Sequence, residues 1–195
     1  MQTVKRNLKE ESVMKDVKVF LADGFEEIEG LTVVDLLRRA GAAVETVSVT
    51  GRSVISGAHG IKVEADTLFE EADFAGTDML VLPGGMPGTV HLQEHPGLNG
   101  LLKDFYGREK YIAAICAAPS ILGGLGFLKG RRACSYPSKE KELTGAEVVR
   151  TPVAVDGNII TSRGMGTAIS FSLELISILY GAEKSDEVRA SIIFG

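Results

Sequence analysis

A cysteine between an apolar run and a helical segment is the residue of this sequence best suited to covalent chemistry. Cys116 follows residues 111–115 and precedes Ala117, Ala118 and Pro119, which are small or compatible with a turn. In a sharp strand-to-helix turn the side chain points into a crevice, where unpaired N–H groups of the helix stabilise a thiolate. The pattern predicts a nucleophilic, oxidisable cysteine. A small buried hydrophobe, as most free cysteines are, is the alternative that this context leaves open.

Two loops carry groups that could assist such a cysteine. Residues 83–88 read Pro-Gly-Gly-Met-Pro-Gly, and their glycines would let backbone amides approach a ligand, as in an oxyanion hole. The loop lacks the Lys and Ser/Thr of a phosphate-binding loop, and a plain turn is its alternative. Glu26, Glu27 and Glu29 cluster before a predicted helix, where acidic residues commonly complement the helix dipole. A carboxyl beside a thiolate would have a raised pKa and could move protons, so one of the three is a catalytic candidate.

The three histidines do not complete an evident site. His59, His91 and His95 are distant from Cys116 in the sequence, so the pattern does not establish a Cys–His pair. The i,i+4 spacing of His91 and His95 would suit a metal on one helix, but Pro96 follows directly and a third ligand is not evident. We therefore predict solvated surface histidines and no bound metal.

The elements that must position these residues alternate between strand and helix. Apolar runs predict extended segments at residues 17–22, 44–49, 61–63, 79–82, 111–115, 148–155 and 159–161. Apolar stripes and end signals predict helices at residues 31–40, 98–105, 119–125 and 167–180. Short connections predict an α/β three-layer sandwich, with a flavodoxin-like, mostly parallel sheet and helices on both faces. Ligands of such sheets bind outside the carboxyl ends of the strands, where loops 23–29 and 83–88 and Cys116 would meet.

The composition is that of a globular protein and disfavours two classes of partner. Of the 195 residues, 24% are charged and 45% hydrophobic, which provides enough apolar surface for a core. The net charge of -5 comes without a polybasic run, so we predict no nucleic-acid or membrane partner. The uncharged run 111–128 approaches the length of a membrane span, but Pro119 and three glycines interrupt it. A buried strand followed by a buried helix explains this run better.

The N-terminus and the cysteines indicate a cytoplasmic protein. Residues 1–15 lack the apolar core of a signal peptide and are predicted to be a non-functional extension of a single domain over 16–195. Cys116 and Cys134 are too few for a disulfide framework or a four-cysteine zinc site. A reducing, cytoplasmic location is therefore predicted.

Four motifs occur in order along the chain. They are Leu-Ala-Asp-Gly-Phe-Glu-Glu-Ile-Glu at 21–29, Val-Leu-Pro-Gly-Gly at 81–85, Ala-Ala-Ile-Cys-Ala-Ala-Pro at 113–119 and Thr-Ser-Arg-Gly at 161–164. This set resembles the ThiJ/PfpI superfamily and, more narrowly, its Parkinson disease protein 7-like branch, over nearly the whole chain from about residue 17. The resemblance implies a flavodoxin-like fold and a homodimer. It also implies Cys116 as the reactive cysteine, Glu29 as the carboxyl bonded to it, and Gly84 and Gly85 as backbone contributors to an anion pocket.

Other positions around the predicted pocket follow or depart from the family pattern. The amide of Ala117, at the start of the helix, would add to the anion pocket, and Ala117 replaces the histidine of the peptidase-like branch, which disfavours proteolysis. Tyr136 stands where many members place a histidine, so a His-assisted mechanism has less support, although Tyr136 could donate a hydrogen bond to a bound oxygen. Arg163 is a further predicted neighbour, and the resemblance suggests that His59 approaches the pocket of a neighbouring subunit. Cys134 would point to the same side as Tyr136, where packing is its predicted role.

The resemblance implies an enzyme, and a sensor is the alternative. As an enzyme without cofactor or metal, the protein would convert small α-oxoaldehydes such as methylglyoxal to hydroxy acids, or remove their early adducts, in a glyoxalase or deglycase type of reaction. Cys116 would attack the aldehyde and Glu29 would move protons. As a redox-sensing oxidative-stress protein or chaperone, it would have Cys116 oxidised by an external oxidant and would release no product. An amidotransferase-like or peptidase activity ranks last, because a Cys–His pair is not evident.

Overall fold

Strands and helices alternate along residues 14–195, the part of the chain that the computed structural model describes. The strands are β1 (Asp16–Leu21), β2 (Ala43–Ser48), β3 (Val54–Ser56), β4 (Lys62–Glu64), β5 (Thr67–Leu68), β6 (Met79–Leu82), β7 (Tyr111–Ile115), β8 (Arg132–Ala133), β9 (Glu147–Val148), β10 (Val153–Asp156) and β11 (Ile159–Ser162). The α-helices are α1 (Glu27–Arg39), α2 (Gly88–Glu94), α3 (Pro96–Gly107), α4 (Pro119–Gly124), α5 (Ala168–Tyr180) and α6 (Ala182–Ser191). Short 3-10 helices span Pro137–Glu142 and Met165–Thr167.

Seven of the strands form one sheet in the order β10-β11-β7-β6-β1-β2-β5. The pairs formed by β1 with β2 and β6, and by β7 with β6 and β11, are all parallel, whereas β10 is antiparallel to β11. This order confirms the predicted flavodoxin-like, mostly parallel sheet. From β1 the chain adds β2 on one side and β6 on the other, so the strand order reverses beside β1. The loops that follow β1, β6 and β7 therefore meet at one edge of the sheet.

Both faces of the sheet are covered, as the three-layer prediction requires. Side chains alternate along β1, so Val19 and Leu21 pack in the layer of α1 and α5, while Phe20 packs in the layer of α2, α3 and α4. Strands buried on both faces are typically apolar throughout, as β6 and β7 are. The layers hold the ends of β1, β6 and β7 in fixed positions.

The elements differ from the predictions at several places, and α2 was not predicted. Helix α1 begins at Glu27, four residues before the predicted start at residue 31. The prediction began too late because the acidic first turn carries no apolar stripe. The predicted segment 148–155 is split into β9 and β10. The hairpin of β3 and β4 holds the predicted extended piece 61–63, and the polar helix α6 was missed altogether.

The N-terminal prediction lies largely outside the described residues, since 1–13 are not among them. Lys15 packs against the domain, where its N–H donates to Tyr180 Oη over 3.0 Å. The division into 1–15 and 16–195 stays a prediction. The uncharged run divides into β7 and α4 as predicted, and among residues 14–195 no helix combines the length and hydrophobicity needed to cross a bilayer.

Candidate active site

Cys116 occupies the turn between β7 and α4 in a left-handed backbone conformation, with φ of 63°. That conformation costs about 1–3 kcal/mol for a residue other than glycine, so its surroundings must hold it. The Cys116 N–H donates to the Ser162 carbonyl over 3.0 Å, and the Cys116 carbonyl accepts from the Tyr136 N–H over 2.8 Å. These two bonds fix the turn on both sides and place the sulfur at the predicted edge of the sheet.

The Cys116 sulfur is surrounded by groups with opposing effects. Burial, followed by the charge of Glu29 and the hydrogen bond to it, raises the pKa of the thiol to about 12. The N–H groups of Gly85 and Ala117 hydrogen-bond to the sulfur and act in the opposite direction. The thiol therefore gives up its proton readily only when a neighbouring group accepts it.

Glu29 is the neighbour placed to accept that proton. It lies in the first turn of α1 with 1% of its surface exposed, and its Oε2 accepts the Gly84 N–H over 3.0 Å. Burial is the main cause that raises the Glu29 pKa to about 7, and the charge of Glu26 adds to the rise against the hydrogen bonds from Cys116 and Gly84. A carboxyl half ionised near neutral pH and bonded to a thiol has the properties of a general base.

Two glycines let the three loops close on one another. A Cβ at Gly84 would lie 2.6 Å from Cys116 Cβ and 2.7 Å from Glu29 Oε2. Gly85 has φ of 91°, and a Cβ there would lie 2.3 Å from the backbone nitrogen of Glu26. The Gly84 N–H donates to Glu29, so it is already used and does not serve as the anion-pocket donor that was expected. The N–H groups of Gly85 and Ala117 instead act on the sulfur.

A cavity of about 410 Å³ opens above the sulfur. It is lined by Glu26, Glu29, His59, Gly85, Met86, Cys116, Ala117, Tyr136, Ser138, Lys139 and Met165. Met86, Tyr136 and Met165 are each about half exposed and give one part of the lining an apolar character. The volume suits a small organic ligand.

Comparison with known proteins shows which family this site belongs to. A model of the DJ-1/PfpI family matches residues 15–178. The chain belongs to the DJ-1/PfpI family. The resemblance to the ThiJ/PfpI superfamily is thereby confirmed. The chain is 38% identical over 183 residues to the Parkinson disease protein 7 homolog of Danio rerio, with 92% of this chain and 97% of that protein covered.

Other DJ-1/PfpI relatives differ in length and name. Protein DJ-1 homolog A of Arabidopsis thaliana is 40% identical over 185 residues, covering 93% of this chain and 47% of that protein, so this chain spans about half of its length. A Pyrococcus abyssi protein named a deglycase is 37% identical over 166 residues, covering 84% of this chain and 98% of that protein. A solved structure of oxidized DJ-1 from Toxoplasma gondii has a TM-score of 0.90 at 35% identity, covering 93% of this chain and 99% of that chain.

The predicted pocket neighbours of this DJ-1/PfpI chain are not all brought to the cavity. Tyr136 lines it and also holds the Cys116 turn through its backbone. Arg163 instead lies 3.7 Å from Glu140 Oε1, as an ion pair. Cys134 is fully buried, with its sulfur 3.3 Å from the carbonyl oxygen of Thr161, in agreement with a packing role.

His59 lines the cavity of its own chain and forms a pair with Glu27 that the sequence did not reveal. Glu27 Oε1 accepts the N–H of His59 over 2.8 Å and that of Ile61 over 3.3 Å, while Oε2 lies 3.1 Å from His59 Nδ1. Burial raises the Glu27 pKa, but these bonds and its own N–H lower it overall. The bond to Glu27, with the charges of Glu26 and Glu27, raises the His59 pKa.

The other histidines lie elsewhere and do not share a helix. His91 belongs to α2 and its Nδ1 is 2.8 Å from the Asp23 carbonyl, whereas His95 caps α3 by accepting the Leu98 N–H. Their spacing therefore does not form a metal site. Donor atoms of Glu26, Glu27 and His59 lie within 4.8 Å of one another, but they already face one another as an acid–histidine cluster. We assign no metal to that cluster.

Proposed function

We propose that this DJ-1/PfpI protein is an enzyme that needs no cofactor and converts small α-oxoaldehydes such as methylglyoxal to hydroxy acids, or removes their early adducts. The observation that carries the proposal is that Glu29, whose pKa is raised to about 7, and the Cys116 thiol that it influences line the same cavity of about 410 Å³. A nucleophile bonded to a general base is the arrangement that covalent catalysis requires. The relative named a deglycase supports this class of reaction.

The first step joins the thiol to the aldehyde carbon. The Glu29 carboxylate takes the proton of Cys116 while a sulfur electron pair forms the C–S bond, and the π electrons of the aldehyde move onto its oxygen. The amides of Gly85 and Ala117, which lower the pKa of the thiol, would stabilise this oxyanion. Glu29 then returns the proton to the oxygen, which gives a neutral hemithioacetal and regenerates the carboxylate.

The second step moves hydrogen from the aldehyde carbon to the ketone carbon. Glu29 removes the C1 proton, the released electron pair forms a C1=C2 double bond, and the ketone π electrons move onto O2. Glu29 then protonates C2, O2 acquires a proton and O1 loses one, which leaves a hydroxyacyl thioester on Cys116. Water attacks C1, the C–S bond breaks, and the hydroxy acid leaves while the sulfur regains its proton. The sum is the addition of one water molecule, so no oxidant is needed.

The sensor hypothesis is the second candidate, and the same pocket favours it. Peroxide would oxidise the Cys116 sulfur to a sulfinate, whose oxygens would lie near Glu29 and the amides of Gly85 and Ala117. The solved relative described as oxidized supports this alternative. Turnover separates the two functions, since a sensor would not release product.

The proposal also includes a homodimer in a reducing, cytoplasmic compartment. An apolar groove of about 480 Å³ lies beside α1, and its Ile28, Leu31 and Ile61 are between 36% and 55% exposed. A second copy of the chain would cover these side chains. Changing Ile28 to Glu should convert a dimer to a monomer in light scattering, and an unchanged mass would count against this face.

The test uses the two unpaired cysteines as a matched pair. Wild type, Cys116→Ser and Cys134→Ser are incubated with methylglyoxal, and D- and L-lactate are followed by enzymatic assay. We expect lactate from wild type and Cys134→Ser and none above background from Cys116→Ser. If no variant makes lactate while mild peroxide adds two oxygens to Cys116, the enzyme proposal fails and the sensor function takes its place.

A further inference from the structure

We propose that His59 transfers protons to and from the substrate oxygens in the reaction proposed above, on which this inference rests, and that Glu27 is the residue that positions it. Glu29 already handles the proton of the sulfur, its transfer to O1 in the first step, and the protons of the carbons in the second. While Glu29 holds the C1 proton, a second group on the cavity wall can exchange the proton between O1 and O2. His59 is the histidine that the structure places there.

The position of His59 separates it from the other two histidines of the sequence. His59 and Cys116 line the same cavity, whereas His91 and His95 border a different one together with Asp23. The His59 side chain is 68% exposed. A ligand that enters the cavity therefore reaches the imidazole without displacing protein groups.

The orientation of the imidazole is fixed by buried groups. Its Nδ1 lies 3.1 Å from Glu27 Oε2, so the Nδ1 proton is donated to that carboxylate, and Glu26 Oε2 adds a second negative charge at 3.6 Å. Nε2 is left as the free nitrogen of the ring. A carboxylate that holds one nitrogen so that the other can exchange protons is the usual arrangement of a histidine acid–base group.

The backbone that carries His59 is anchored to the same carboxylate. Glu27 Oε1 accepts the N–H groups of His59 and Ile61, and a Cβ at Gly57 would lie 2.2 Å from that oxygen. Glu27 itself is 3% exposed. The loop between β3 and β4 thus has a fixed position relative to α1. The backbone at position 59 should therefore stay in place when the side chain is changed.

The charges around His59 favour an imidazolium that can donate. Glu26, just before α1, and Glu27, in its first turn, face the imidazole; Cys116 and Glu29 lie in the same cavity, and Lys139 on the lining is paired with Glu142 at 2.7 Å. The two adjacent carboxylates raise the His59 pKa above its ordinary value, so the protonated form persists to a higher pH.

The proton transfer balances within the second step of the proposed reaction. After Glu29 has removed the C1 proton, the His59 imidazolium gives its Nε2 proton to the O2 anion. The neutral imidazole then takes the proton of the O1 hydroxyl while Glu29 protonates C2, and O1 becomes the thioester carbonyl. His59 ends the step as it began, protonated.

The experiment compares His59→Ala with His91→Ala, a histidine outside the cavity. His59→Ala keeps the backbone N–H that binds Glu27, so the loop remains anchored. We expect kcat for lactate formation to fall about 10²-fold, the usual size of one acid–base group, with little change in KM and wild-type alkylation of Cys116 by iodoacetamide. Added imidazole should restore part of kcat in His59→Ala and none in Cys116→Ser. Glu27→Gln should move the His59 limb of the pH profile to lower pH.

Three results would overturn the inference in distinguishable ways. Lactate formation by His59→Ala at the wild-type kcat and pH profile would remove His59 from the mechanism and leave the proposed function intact. A lower kcat that imidazole does not restore, together with slower alkylation of Cys116, would show a structural role only. Failure of wild type to make any lactate would overturn the proposed function and this inference with it.

Discussion

Glu27 and Glu29 stand two residues apart in the first turn of α1 and are 3% and 1% exposed, yet their pKa values move in opposite directions. Glu27 accepts two N–H groups from the loop between β3 and β4 and also faces the imidazole of His59. Glu29 accepts one amide, from Gly84, and faces a thiol. Both side chains are almost inaccessible to solvent, but desolvation prevails at Glu29, whereas the larger supply of hydrogen-bond donors outweighs it at Glu27; Glu27 therefore stays ionised and Glu29 exchanges protons.

The largest expected effect comes from Gly84→Ala, which acts on the Glu29 side of this comparison. The new Cβ would lie 2.6 Å from Cys116 Cβ and 3.0 Å from the Ala117 nitrogen, and the fixed turn cannot move away. We expect a loss of about 3 kcal/mol in the free energy of unfolding, the upper end for overpacking, and no lactate formation. Urea denaturation and the lactate assay measure the two effects.

Two other glycines serve as comparators. Gly57→Ala meets the Glu27 carboxyl and should disturb the hairpin while sparing Cys116 alkylation. Gly100→Ala lies in α3 with open space around the new Cβ, and should stabilise the protein by about 0.5 kcal/mol. Equal losses of alkylation in Gly57→Ala and Gly84→Ala would contradict the separation of the two carboxyl sites.

Glu29→Gln is expected to abolish turnover and yet stabilise the fold at high pH. The native carboxyl resists ionisation between its ordinary pKa of 4.5 and its raised value of about 7, so wild type loses stability as the pH rises through that window. The gain for the variant at pH 8 is at most about 3 kcal/mol and disappears near pH 4.5. Urea denaturation at both pH values tests it, and a variant less stable than wild type at pH 8 would refute the assignment.

Glu27→Gln should show the opposite pH dependence. The lowered pKa means that ionised Glu27 stabilises the native state above its ordinary pKa and that this contribution is lost as the pH falls through the lowered value. Weaker hydrogen bonds to a neutral amide should cost about 2 kcal/mol at pH 7. Thermal and urea denaturation at pH 7 and pH 3.5 should show this gap narrowing in acid, and a constant gap would contradict the ionised assignment.

The smallest effect is expected from Tyr136→Phe. Tyr136 holds the Cys116 turn through its backbone N–H, and its side chain is about half exposed. Removing the hydroxyl should change stability by about 0.5 kcal/mol or less and kcat by no more than about twofold. A large fall in kcat would transfer to Tyr136 the oxygen-directed role that we assign to His59.

The fold was predictable where the chain is buried on both sides. Strands β6 and β7 are continuous apolar runs, and short runs of this kind are typical of strands buried on both faces of a sheet. The start of α1 was misplaced because the acidic first turn carries no apolar stripe. The polar helix α6 buries only Ser185 and Val188, so its sequence shows no pattern that predicts a helix.

The site was predictable only as far as local pattern reaches. The strand, turn and helix around Cys116 are contiguous in sequence and predicted its position. The choice of Glu29 among three acidic residues depends on the Gly84 amide, 55 residues away, and so required the family resemblance. The pairing of His59 with Glu27 spans 32 residues and is created by the hairpin of β3 and β4, of which the sequence predicted only the extended piece 61–63 and not its contact with α1.

The two backbone bonds on either side of Cys116 limit how its sulfur can move. Because Ser162 and Tyr136 hold the peptide groups before and after the cysteine, rotation about the Cα–Cβ bond is the one torsion left to the side chain. A molecule diffusing into the cavity therefore meets a reactive atom confined to an arc. The frequency of productive collisions is then governed by the orientation in which the molecule enters the cavity, and very little by motion of the sulfur atom.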